Sequence, residues 1–113
     1  MKPGEIFIGR FPFGDVPGMK LRPLLALTPP IGPVPEVLAA YISSIMPSVL
    51  LPSDLVIDPR LPQDASTNIK QRSVIRLHKL ATVHEQSLVR FVGKLSAAAL
   101  QHVEDKLRKL LAL

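Results

Sequence analysis

A chain of 113 residues without cysteine is sized for one domain that buries a core without staples, and it can form neither disulfides nor thiolate metal sites. Its formal net charge of +5 favours a polyanionic partner such as RNA, DNA or an acidic protein, although many small soluble proteins are basic without one. Met1–Glu5 lacks the apolar run of a secretion signal, and Val37–Leu51, the longest apolar region, is too short and too interrupted by Ser43, Ser44, Pro47 and Ser48 to cross a membrane. A cytoplasmic protein of a single domain, 1–113, is the expectation.

Twelve prolines punctuate the chain, with clusters at 29–35 and 47–62 that break strands and mark loops. The short apolar runs between them predict a small β-rich barrel or sandwich. Glu5–Phe13 is the first run, with Phe7, Phe11 and Phe13 on one face by alternation. Gly14-Asp15 and Pro17-Gly18 signal a turn. Leu21–Thr28, nearly all apolar, suits a central strand with Pro23 near its start or at a bulge. Val37–Ser44 is the third run and Leu55–Ile57 a weak fourth. Ser73–Leu80 is the fifth, and Leu88–Val92 either pairs with it or follows a short helical turn. Ser96 can cap a helix, and Leu100, Val103, Leu107, Leu110 and Leu111 then recur at helical spacing. That helix is predicted to pack against the sheet as a lid.

The chemistry concentrates in the fifth run. Alternation sends Ile75 and Leu77 to one face and Arg76 and His78 to the other, where a cation beside an imidazole could hold a phosphate and move a proton. Arg22, entering the second strand before Pro23, could anchor a phosphate through its planar fork; it could equally be a surface charge at a strand end. Ser43 and Ser44 end the third run with hydroxyls able to donate to a phosphate oxygen. No glycine-rich phosphate loop, Gly-x-Ser-x-Gly elbow or His-Glu-x-x-His appears. His84 reads as a surface turn residue and His102 as a bystander on the helix. No histidine pair has metal-ligand spacing, so neither a metal site nor another cofactor is expected.

In order along the chain, Lys2-Pro3-Gly4-Glu5-Ile6-Phe7, Phe11-Pro12-Phe13 and Leu21-Arg22-Pro23-Leu24-Leu25-Ala26-Leu27 resemble the opening of MazF/PemK-type toxins. So do Ala40-Tyr41-Ile42-Ser43-Ser44, Ser73–Val83, and Val92-Gly93-Lys94-Leu95-Ser96 before an apolar helix. The resemblance spans nearly the whole chain. It implies a mainly β protein, a small SH3-like antiparallel barrel of the CcdB/MazF type with a C-terminal helix, usually a homodimer. It implies a toxin of a type II toxin-antitoxin system, a metal-independent endoribonuclease that cuts single-stranded RNA at short sequences. It also implies a cognate antitoxin, commonly acidic, over the RNA groove. The ribose 2′-hydroxyl is the nucleophile in such enzymes, leaving a 2′,3′-cyclic phosphate and a 5′-hydroxyl.

Carried over position by position, the resemblance assigns catalysis to Arg22, Ser43, Arg76 and His78 and RNA binding to Lys20, Arg22, Ser44 and Lys79. Arg22 would bind the scissile phosphate and Ser43 would hydrogen-bond it. Some members give the arginine at position 76 a proton-donor role, but a guanidinium hardly releases its proton, so stabilising the phosphorane suits Arg76 better. His78 stands where several members carry an acidic residue, and an imidazole can serve as base or acid near neutral pH. Two other readings stay open on the residues. One is a non-catalytic module acting on a protein such as DNA gyrase, or held by an antitoxin. The other is a small structural domain in which Arg22, Ser43, Arg76 and His78 do not converge.

Overall fold

The computed structural model describes residues 1–10 and 21–113. Six strands form one antiparallel sheet: β1 (Glu5–Arg10), β2 (Leu21–Ala26), β3 (Glu36–Ser43), β4 (Asp54–Ile57), β5 (Ser73–His84) and β6 (Leu88–Lys94). Their spatial order is β4-β5-β3-β2-β1-β6. One α-helix is found among the described residues, α1 (Ala97–Leu110), its first turn capped by Ser96, whose hydroxyl accepts the Ala99 N–H as an N-cap serine should. No helix among the described residues is long and apolar enough to cross a membrane.

The strands fall where alternation and proline punctuation put them. Pro23 is accommodated because β2 pairs with β1 there (Ile8↔Pro23), while its ladder to β3 begins only at Leu24↔Tyr41; a missing donor is tolerated where a strand is paired on one side. The fifth strand runs four residues beyond Leu80 and ends at the exposed His84. It does so through a bulge: Tyr41↔Arg76 is followed by Ala40↔Leu80, so residues 77–79 have no partners on β3. Leu88–Val92 is strand, preceded by the short 3₁₀ turn Glu85–Ser87, and its partner is β1 rather than β5. Phe11, Phe13, the turn at 14–18 and Lys20 lie outside the described residues.

Among the described residues the expected barrel is not closed. β4 is four residues long and pairs with β5 alone. The acceptors of β6 that closure would need are met instead by a 3₁₀ turn, Pro62–Thr67, and the residue after it: Ser66 donates to Lys94 O at 2.9 Å and Asn68 Nδ2 to Val92 O at 3.0 Å. The approach is so tight that a Cβ at Gly93 would collide with the carbonyls of Thr67 and Ser66, so only glycine fits there.

Two apolar clusters occupy the two faces of the sheet. On one, Ile6, Leu25, Ile42, Ile75 and Leu77 pack against Val103 of α1, all 0–1% exposed. The helix thus lies as a lid on the sheet, as its apolar stripe predicts, and Lys106 Nζ ties it to Pro52 O at 2.9 Å. On the other, Phe7, Leu24, Ala26, Val37, Ala39, Val83 and Leu88 form the second cluster.

The turn after β4 is held by charge. Arg60 grips Asp58 through Nε (3.1 Å) and Nη2 (2.8 Å), and its backbone N–H donates to Oδ1 at 3.0 Å. These side-chain bonds, with the backbone bond second, hold the Asp58 carboxyl at about 2, below its ordinary 3.8. A carboxyl depressed in the folded state stabilises fully above its unfolded value and loses that contribution as pH falls through the folded one. The expected NMR titration therefore places Asp58 near 2. In Arg60→Ala the midpoint moves up toward the ordinary value, and stability falls less steeply on acidification between about pH 4 and 2.

Candidate functional site

Cross-strand partners on a sheet share a face, and the register assembles a row across four strands. Leu24 on β2 stands opposite Tyr41 on β3, Tyr41 opposite Arg76 on β5, and Arg76 opposite Asp54 on β4. Arg22 lies two residues before Leu24 and Ser43 two residues after Tyr41, so both belong to the same face, in the adjoining row. Continuing the β2–β3 register sets Arg22 directly across from Ser43. The Arg22 and Arg76 backbones are then about 12 Å apart, two strands over and two residues along.

Asp54, which the sequence did not single out, organises the first row. Its side chain is fully buried and Arg76 retains 17% exposure. Arg76 Nε donates to Asp54 Oδ1 at 3.1 Å and Nη2 to Oδ2 at 3.4 Å, while the Leu51 N–H donates to Oδ2 at 2.8 Å. His78 sits in the β5 bulge with Nδ1 4.0 Å from Asp54 Oδ1, beyond hydrogen-bond length but close enough for the carboxylate to attract an imidazolium formed there. His78 lines a cavity of about 350 Å³ with Ser53, Lys106 and Lys109. Lys79 Nζ lies 5.8 Å from the Tyr41 ring centre, within cation–π range.

Arg22, at the end of the second row, borders a groove of about 340 Å³ whose lining residues Ile8, Ile42 and Ser44 alternate onto the α1 side of the sheet. Arg22 and Ser44 line it, joined by Lys70 and Arg90 and by the apolar Ile8, Ile42 and Val92; no acidic residue is among its described lining. Three cations and no carboxylate among the described lining give the groove a positive potential. Ser43 does not line this groove: it is buried, and its hydroxyl donates to Ile45 O at 3.2 Å while accepting the Ile45 N–H at 3.1 Å.

Of the residues singled out by sequence, then, Arg76 and His78 meet around Asp54, and Arg22 and Ser44 meet in the groove. Ser43 shares the face of Arg22 and Arg76 with its hydroxyl engaged locally, Lys79 covers Tyr41, and Lys20 lies outside the described residues. Lys70 and Arg90 belong to no motif; only the fold brings them to Arg22. Among the described residues no group of three or more His, Cys, Asp and Glu is placed to hold a metal.

The chain is thus a small antiparallel β protein with a lid helix, with Arg76 and His78 gathered at Asp54 beside the C-terminal end of α1 and with Arg22, Lys70 and Arg90 lining a separate groove. The chain belongs to the PemK-like, MazF-like toxins of type II toxin-antitoxin systems, whose family profile matches residues 2–111. Compared with curated sequences, it matches none. Among solved structures it is similar to the Mycobacterium tuberculosis toxin MazF-mt6, with 22% identity, a TM-score of 0.72 and 96% and 97% of the two chains covered. It is similar to a mycobacterial endoribonuclease in complex with its cognate antitoxin (14% identity, TM-score 0.68, 100% and 96% covered). It is also similar to the MazE-MazF complex of Deinococcus radiodurans (17%, 0.68, 100% and 96%).

Proposed function

We propose that this toxin is an endoribonuclease that cuts single-stranded RNA without a metal, using the ribose 2′-hydroxyl as nucleophile. The observation that carries the reading is the shared face of Arg22, Ser43, Arg76 and Asp54, with His78 beside them in the bulge. RNA lies across this face. Arg22 and Arg76 flank the scissile phosphate and offset the charge that grows on its oxygens as the phosphorane forms. His78 accepts the 2′-hydroxyl proton; the 2′-oxygen bonds to phosphorus as the P–O5′ bond breaks on the opposite, apical side, O5′ takes its proton from water, and the imidazolium releases its own to solvent. The products are a 2′,3′-cyclic phosphate and a 5′-hydroxyl. Asp54 stabilises the transient imidazolium and keeps Arg76 from swinging away.

The same reading carries a homodimer and a cognate antitoxin. A relative of this fold is an endoribonuclease bound to its antitoxin, and a cationic face that takes RNA also takes an acidic segment. The test is cleavage of a mixed-sequence RNA in EDTA by wild type, Arg76→Ala and His78→Ala. Cutting by wild type and a loss of about 10²-fold or more in each variant is the expected result. Uncut RNA with wild type, or equal cutting by all three, removes the mechanism.

A further inference from the structure

The Arg22 groove is not the end of the cationic surface. Lys70 and Gln71, at its far wall, also line a second concavity of about 360 Å³, completed by Asp58, Pro59, Arg60 and Arg72. The two hollows therefore adjoin across Lys70 and Gln71. Lys70, Arg72 and Arg60 are all exposed, Arg60 with 81% of its side chain in solvent. The one carboxylate in the second hollow, Asp58, is gripped by Arg60 at 2.8 Å, so the lining keeps a positive excess.

We propose that the RNA strand continues from the Arg22 groove into this second hollow, and that Lys70 and Arg72 hold backbone phosphates there, outside the cleavage site. The proposal rests on the endoribonuclease reading and extends it by giving the bound strand a course and a direction of exit. Its chemistry favours RNA over an acidic protein. A protein partner binds tightly through apolar or aromatic anchors set in pockets, and apart from Pro59 the second hollow offers no apolar side chain. Backbone phosphates are held by cations in a file, without apolar anchors. Because phosphate contacts carry no base information, this lane sets affinity and footprint length rather than the cut sequence.

The experiment compares two uncleavable probes, a mixed-sequence ten-nucleotide RNA and a trinucleotide, both with 2′-O-methyl riboses. Arg72→Glu is expected to weaken the ten-mer about tenfold and to flatten its log-affinity against log-salt slope by roughly 0.7 for each phosphate the variant no longer neutralises. The trinucleotide, held in the Arg22 groove alone, is expected to change less than about twofold. Arg108→Glu, the same charge change on the exposed surface of α1, is the control and leaves both probes as in wild type. Arg72→Gln repeats the measurement with a milder change should the glutamate disturb folding.

Equal loss with Arg72→Glu and Arg108→Glu, or equal loss for both probe lengths, overturns the lane. So does an Arg72-dependent affinity for a ten-residue polyglutamate that exceeds the affinity for RNA, which would assign the hollow to an acidic protein. Failure of the two readings is distinguishable. Length-dependent loss in a protein that never cuts RNA upholds the lane and removes the nuclease; cutting with no length-dependent loss does the reverse.

Discussion

Asp54→Ala is expected to cost this protein roughly 3–5 kcal/mol of stability, the range for removing one partner of a buried ion pair. The reason is what it leaves behind. Asp54 is fully buried and accepts from Arg76 and from the Leu51 N–H; without it a mostly buried guanidinium faces a void and a backbone donor loses its acceptor. Asp54→Asn keeps the volume and an acceptor oxygen, so it is expected to fall between wild type and alanine. Urea unfolding of the three proteins is the check, and a change under about 1 kcal/mol in the alanine variant would show that the Arg76 pair behaves like a surface salt bridge.

Arg22→Ala is the second large effect, and it lies in activity rather than stability. Arg22 is half-buried at a strand start, engages no described ion pair, and lines a groove with two other cations. Its removal is expected to lower RNA cleavage about 10²–10³-fold, the cost of losing one donor aimed at developing charge, with the unfolding midpoint nearly unchanged. Arg22→Lys is expected to restore only part of the rate, because an ammonium supplies a point charge and not the planar fork that matches phosphate. Single-turnover rates on one RNA substrate measure this. An alanine variant within about threefold of wild type would place the phosphate elsewhere.

Most of the scaffold was legible in the chain because its signals are local. Alternation in Ser73–Leu80, proline punctuation and the helical recurrence after Ser96 each depend on neighbours a few residues away. The reach of β5 to His84 was not legible, since the bulge at 77–79 exists only in the pairing with β3. Nor was the open sheet, which depends on Ser66 and Asn68 meeting β6 some 24–28 residues later.

The site was legible in its types and not in its groupings. Arg76 and His78 stood out together because strand alternation alone puts them on one face. Asp54 carries no signal of its own because, after Pro52-Ser53, it reads as an ordinary turn acid; its role comes from standing opposite Arg76 across 22 residues of sequence. Ser43 and Ser44 are indistinguishable as a pair of hydroxyls, and the fold separates them: one bonds Ile45 and the other lines the groove. Lys70 and Arg90 carry no pattern at all, so only the loop after the 3₁₀ turn and the pairing of β6 with β1 bring them to Arg22.

Mass spectrometry of the cut ends is the most direct measurement of the central claim, that this face cleaves RNA through the substrate's own 2′-oxygen. A defined RNA is incubated with the protein in excess chelator, beside the same RNA carrying a single 2′-deoxyribose on the 5′ side of the cut. Fragments ending in a 2′,3′-cyclic phosphate and beginning with a 5′-hydroxyl, and no cut at the deoxy position, are what the proposed mechanism predicts. A 5′-phosphate end, or cleavage that survives the missing hydroxyl, would contradict it.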